Sequence, residues 1–155
     1  MRIISGEFRG RNIVAPQSFD LRPTTDMARE GLFSILNNAY DFSEINGLDL
    51  VSGIGSISLE GISRGCSDVV AGEKNPRHAA FIKQTAQQLK VSGLKVLNLE
   101  VRSFLKLANR EFSLVFADPP YDLPWLADIP NLIFESKAVN ENSLVVVEHP
   151  GTYDF

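Results

Sequence analysis

Five short apolar runs recur through the last two thirds of the sequence: Gly47–Val51, Asp68–Glu73, Leu94–Leu99, Phe112–Ala117 and Ser143–Glu148. Stretches of helical character separate them, at about Gly55–Arg64, Pro76–Leu89, Val101–Leu107 and Leu123–Lys137. Runs without a polar alternation have no face that tolerates water, so each strand must be covered on both sides. Alternation with helices supplies that cover and makes neighbouring strands parallel. Right-handed crossovers then lead to an α/β doubly wound, mainly parallel sheet. Such sheets bind ligands outside the carboxyl ends of their strands. Those ends are therefore where function is to be read. A chain of 155 residues suits one domain with a substantial core.

Upstream of the sheet, Arg2–Ser5 and Asn12–Ala15 flank "GEFRGR", with Gly6 and Gly10 as turn residues. The pattern predicts an N-terminal β-hairpin over residues 1–16, ahead of an α/β core over 23–155. In "RPTTDMAREGLFSILNN", Thr24 or Thr25 is placed to cap a helix and Asp26 suits its first turn. Met27, Leu32, Phe33, Ile35 and Leu36 recur near the helical period and predict its buried face. The net charge is −4, which argues against a broad basic surface for nucleic acid. The hairpin is the exception: Arg2, Arg9 and Arg11 stand there against Glu7 alone. With Arg22 they are the candidate phosphate contacts.

The strand ends carry the chemistry. The first strand runs into a glycine turn, with Asp49 inside the strand and Ser52, Gly53 and Gly55 beyond it. The second ends at Glu73-Lys74, presenting a carboxylate suited to the two hydroxyls of a ribose. The third ends at Glu100-Val101. The glycine turn alone leaves three readings open: a plain tight turn, a dinucleotide site, or an S-adenosylmethionine site. A dinucleotide site would show G-x-G-x-x-G, and here the last position is Ser58. Asp49 would repel a pyrophosphate and attract a cation, which favours the sulfonium- and ammonium-bearing methyl donor.

The fourth run ends in "VFADPPYD". Pro119 and Pro120 cannot donate to a sheet ladder, so the strand stops there. Two fixed φ angles hold the Asp118 carboxylate and the Pro119 carbonyl rigidly. A planar amine between them would donate both N–H groups, and Tyr121 offers a face on which a base could stack, worth about 1–3 kcal/mol. Asp118, Pro119, Pro120 and Tyr121 are the candidate catalytic group.

"DPPY" after a fourth strand resembles the [DNS]PP[YFW] motif of amino-methyltransferases. Together, "MRIISGEFRGRNI", "RPTTDMAREGLFSIL", "LDLVSGIGSISLEGISRG" and "FADPPYDLP" resemble the bacterial small-subunit ribosomal RNA (guanine-N2)-methyltransferase family over nearly the whole chain. The resemblance implies a class I S-adenosylmethionine-dependent fold and methyl transfer to the exocyclic N2 amine of a guanine. It implies small-subunit ribosomal RNA as partner, naked or in an assembly intermediate with bound proteins. Asp49, Ser52, Gly53, Gly55, Glu73, Lys74, Glu100 and Val101 would hold the cofactor. Arg2, Arg9, Arg11, Arg22, Thr24, Thr25 and Asp26 would meet the substrate. Ile54 stands where that family has a small hydroxyl residue, and Glu100 where it has Asp. The family continues into two further strands, so the resemblance implies that the last strands are missing here. The same motif also suits a methyltransferase for protein glutamine or DNA adenine. The departures suit an RNA-binding domain without turnover.

The remaining reactive residues support no further chemistry. Cys66 is single and reads as structural, on a helix-to-strand connection. His78 reads as a surface helix residue and His149 as unassigned. No Cys/His cluster has metal-ligand spacing, so no metal is expected. No apolar run approaches the roughly 20 residues of a membrane span, and a cytoplasmic monomer is expected.

Overall fold

A computed structural model describes residues 1–19 and 24–153. Its five strands are β1 (Gly47–Asp49), β2 (Val69–Gly72), β3 (Leu94–Leu97), β4 (Leu114–Ala117) and β5 (Leu144–Val147). Five helices, α1 (Asp26–Ala39), α2 (Ser56–Ser63), α3 (Pro76–Leu89), α4 (Val101–Leu107) and α5 (Ile129–Phe134), precede or connect them. All strand pairs are parallel, in the order β3-β2-β1-β4-β5. These are the first five places of the 3-2-1-4-5-6 doubly wound order. The chain reverses direction across the sheet between β1 and β4, where the carboxyl ends of neighbouring strands open a crevice.

Side-chain alternation divides the core between the two faces. Leu48, Val70, Val115 and Ala117 pack with Val101, Phe104 and Leu105 of α4 and with Ile129 and Ile133 of α5. Val69 points the other way, into a cluster with Phe33 and Leu36 of α1, Ile62 of α2, Phe42 and Cys66. Ala71 and Val96 meet Ala79 and Ile82 of α3. Burying each of the larger side chains contributes about 1.5–3 kcal/mol. Cys66 is buried and its thiol donates to the Ile45 carbonyl, as a structural residue should.

Three expectations change in detail. The buried face of α1 is Arg29, Phe33 and Leu36, whereas Met27 and Ile35 remain 83% and 69% exposed. The helix anticipated over 123–137 is shorter, because a 3₁₀ turn at Leu126–Asp128 precedes α5 and Pro130 starts the helix in its first turn. The N-terminal arms pair antiparallel, through the Arg2–Asn12 bridge and the Ile3 N–H on the Arg11 carbonyl and the Ile13 N–H on the Met1 carbonyl, but too briefly to make a strand.

The backbone donors that face away from this pairing are taken up by α2. Glu60 on α2 is fully buried. Its Oε1 accepts the Ile4 N–H at 2.9 Å and Arg29 Nε at 3.3 Å. Its Oε2 accepts the Ser5 N–H at 3.1 Å and Arg64 Nε at 2.9 Å. The next donors follow onto α2, with Glu7 N–H on the Ser63 carbonyl and Phe8 N–H on the Ser63 hydroxyl. Gly6 makes the approach possible: its φ is +90°, and a Cβ there would lie 1.8 Å from the Ser63 carbonyl oxygen. Arg29 closes the set by donating to the Arg2 carbonyl and to Asp26.

Removing one member of a buried ion pair leaves the other charge uncompensated, at a cost of about 3–5 kcal/mol. Glu60→Ala is therefore expected to lower unfolding free energy by that amount in urea titration. Glu44→Ala, at an exposed turn, should leave it unchanged.

Candidate active site

A cavity of about 610 Å³ lies at the carboxyl ends of β1, β2 and β4. Of the residues anticipated from sequence, Asp49, Ser52, Gly53, Glu73, Lys74, Asp118, Pro119, Pro120, Tyr121 and Thr24 all line it. The glycine turn shapes its floor. Gly55 caps α2 at φ +86°, and a Cβ there would press on Ile82 at 3.1 Å. Ile54 is buried and also faces the cavity, so the branched side chain forms an apolar wall where a hydroxyl would have been a donor.

The carboxylates are held in different ways. Glu73 is buried at the tip of β2, and its two oxygens accept the N–H groups of Gly53 at 2.9 Å and Asn75 at 2.7 Å. Those bonds fix its direction and tie the glycine turn to α3. Asp49 is buried, and its Oδ2 accepts the Ser58 hydroxyl at 2.8 Å. Its Oδ1 is buried with no partner among the described residues. Ser52 supports the same strand end by donating to the Asp49 carbonyl. Burial, with a smaller contribution from the charges of Asp118 and Glu73, pushes the Asp49 carboxyl up to about 7. Asp118, directly after β4, accepts the Thr24 hydroxyl at 3.3 Å. Pro119 is buried behind it, and Tyr121 sits on the rim, 38% exposed.

Glu100 and Val101 belong to a second recess of about 40 Å³, which shares Val51, Lys74, Pro119 and Pro120 with the main cavity. Glu100 is the N-cap of α4: its Oε1 accepts Ser103 N–H at 3.2 Å and Arg102 Nε at 3.3 Å. Arg102 in turn lies over the Trp125 ring, 4.3 Å from its centre. Trp125 walls this recess, and nothing in the spacing of the sequence marks it.

Several anticipated contacts lie apart from the cavity. Arg2, Arg9 and Arg11 are exposed on the N-terminal arm and do not line it. Thr25 caps α1 by accepting the Ala28 N–H, and Asp26 pairs with Arg29, so both are engaged in holding the helix. Arg22 lies outside the described residues. His78 departs from its expected surface position: it is buried and lines the cavity. Its place in the first turn of α3, beside the acid-bearing strand end, is the available signal. Asn75, which also lines the cavity, caps α3 by accepting the Arg77 and His78 N–H groups, as an Asn before Pro suggests.

Electrostatically the crevice is acidic, with Asp49, Glu73, Asp118 and Asp122 against one lysine, Lys74. Such a site disfavours phosphate and favours a cation. Ser58, which breaks the dinucleotide pattern, is the residue that holds Asp49. No group of three or more His, Cys, Asp or Glu among the described residues is arranged to hold a metal. No helix among them is long and apolar enough to cross a membrane.

Residues 1–154 match the family described as conserved hypothetical protein 95. The ribosomal RNA small subunit methyltransferase D of Escherichia coli K12 is 32% identical over 148 residues, covering 96% of this chain and 74% of that protein. The protein of the same name from Haemophilus influenzae is 34% identical over 152 residues, covering 96% and 78%. A solved structure of a hypothetical protein from Thermus thermophilus superposes with a TM-score of 0.87 at 28% identity, covering 100% of this chain and 89% of that one.

Asp49 makes stability pH-dependent with a defined sign. The unfolded carboxyl ionises near 3.8, whereas the folded one keeps its proton up to about 7. Between those values the folded state binds more protons, so this group lowers stability as pH rises. Asp49→Asn is expected to gain on wild type progressively from pH 4 to pH 7 and to level off above. Urea unfolding across that range measures the difference.

Proposed function

The chain belongs to the conserved hypothetical protein 95 family, and from that premise we propose that it methylates the N2 amine of a guanine in small-subunit ribosomal RNA, using S-adenosylmethionine. The observation that carries the reading is an acidic cavity with Asp118 and two rigid prolines on its wall, below an exposed Tyr121. Relatives named as small-subunit ribosomal RNA methyltransferases support the substrate class.

The residues present suit the methyl donor. A volume of about 610 Å³ lies within the range of about 300–1,000 Å³ typical of small-molecule sites. The orphaned, buried Asp49 Oδ1 fits a cationic ligand. Glu73 would take the ribose hydroxyls, Gly53 and Gly55 would keep the backbone close, and Lys74, Glu100 and Val101 would flank the base end. When bound, S-adenosylmethionine supplies an activated methyl group on sulfur.

The protein's own task is to make a poor nucleophile react. The guanine amine is weak because its lone pair is delocalised into the ring. Accepting its two N–H groups on the Asp118 carboxylate and the Pro119 carbonyl would favour pyramidal nitrogen and orient the lone pair. Orientation of this kind supplies a large part of many rate enhancements. One amine proton must leave as the new N–C bond forms, and Asp118 is the acceptor at hand. Tyr121 would stack on a base drawn from its neighbours, since chemistry on a base requires it unpaired or extruded. Thr24 would border that base, and Arg2, Arg9 and Arg11 would meet phosphates from the N-terminal arm.

Asp118→Ala is expected to cut methyl transfer to small-subunit ribosomal RNA at least about a hundredfold, a modest value for a positioned acid–base group. Tritium transfer measures this, and an unchanged rate overturns the mechanism. Replacing Arg9 and Arg11 by Ala together should weaken RNA binding at all sequences. It should also flatten the slope of log affinity against log salt by about 1.5, if each meets one phosphate.

A further inference from the structure

His78 is the third residue of α3, and only 9% of its surface is exposed. Its ring packs on Phe19 with centroids 4.4 Å apart. Phe19 is covered on its own ring by the Arg77 guanidinium and meets Phe81 edge-on. This packing turns the imidazole inward, onto the cavity wall beside Glu73. Nδ1 lies 4.0 Å from Glu73 Oε2, beyond hydrogen-bond reach. Among the described residues, no hydrogen bond to either ring nitrogen is formed. The ring faces the cavity beside Glu73, with its nitrogens open to whatever occupies that cavity.

The neighbouring carboxylate says which ligand atom would meet the ring. Each Glu73 oxygen already accepts a backbone N–H, so the tip of β2 is fixed while its side chain lines the cavity with acceptor capacity left over. A hydroxyl donating to Glu73 would lie within reach of His78, and neutral imidazole both donates and accepts. We propose that His78 is a second polar contact to the ribose of the cofactor, holding a hydroxyl jointly with Glu73. This inference rests on the methyl-donor reading above.

Calorimetry with S-adenosylhomocysteine and its 2′-deoxy and 3′-deoxy analogues tests it without turnover. His78→Phe keeps an aromatic ring for Phe19 and loses both ring nitrogens. It should bind S-adenosylhomocysteine about threefold to tenfold more weakly, the size of one neutral hydrogen bond. His78→Gln restores a polar group and should stay within about twofold of wild type. On one of the two deoxy analogues the His78→Phe penalty should vanish, which a packing role would not produce. Equal penalties on all three ligands, or none on any, overturn the proposal while leaving the cofactor assignment intact. Absence of binding by wild type overturns the cofactor assignment itself and this inference with it. Should His78→Phe not fold, His78→Leu makes the same comparison.

Discussion

The buried carboxylate of Glu60 is the constraint on which the arrangement of the upstream elements depends. Four donors from three parts of the chain converge on it: two N–H groups of the N-terminal arm, Arg29 of α1 and Arg64 at the end of α2. An ionised carboxylate away from water is tolerated only when its lone pairs are filled, so any of these elements leaving its place exposes the rest to a desolvation cost. The arm keeps its own antiparallel pairing and uses the Ile4 and Ser5 N–H groups for this contact. α1 is anchored through Arg29, whose guanidinium also reaches Asp26 in the helix's first turn. The residue just before that turn's cap is Thr24, which meets Asp118 across the cavity. A packing decision on the far side of α2 is thereby transmitted to the atom proposed to hold the substrate.

The sheet is legible in the sequence because its strands are short, mostly apolar runs separated by helical stretches, even where an edge strand shows an exposed Lys95. Asp49, Glu73 and Asp118 are legible for the same reason: an acid at the end of an apolar run has one direction to point. Glu60 is not. It lies within a helical stretch where a charged residue ordinarily faces water, and its four donors come from as far as 56 residues away. The helical period puts Met27 and Ile35 on the wrong face of α1, because Arg29 takes a buried position that period alone assigns to an apolar residue. The same logic misplaces His78, since its burial is created by Phe19, from a loop whose packing no local pattern encodes.

Glu at position 100 has a local consequence visible in the hydrogen bonds. Its side chain folds back to cap α4 and pair with Arg102, which is itself laid over Trp125. The acid is then part of the recess wall, held by its own helix. Ile54 changes the opposite side of the site from polar to apolar without opening it, because it is buried against the turn. Both departures alter the lining of the crevice and leave its backbone frame, set by Gly53 and Gly55, in place.

The degree to which each acid is satisfied ranks their tasks. A carboxylate offers about four lone-pair sites. Glu60 has all of its capacity filled and can do nothing but hold structure. Glu73 has two backbone donors, enough to fix its direction and few enough to accept hydroxyls. Asp49 has one donor and one orphaned oxygen, which makes it the group whose charge a cationic ligand would stabilise most. Asp118 meets a threonine hydroxyl at 3.3 Å, a bond weak enough to exchange for an incoming amine. Its rigidity comes instead from the two prolines that follow it, so it is held in place by covalent geometry while its oxygens stay available. An acid meant to accept a proton cannot also be the acid that holds the fold together, and here the two tasks fall to different residues.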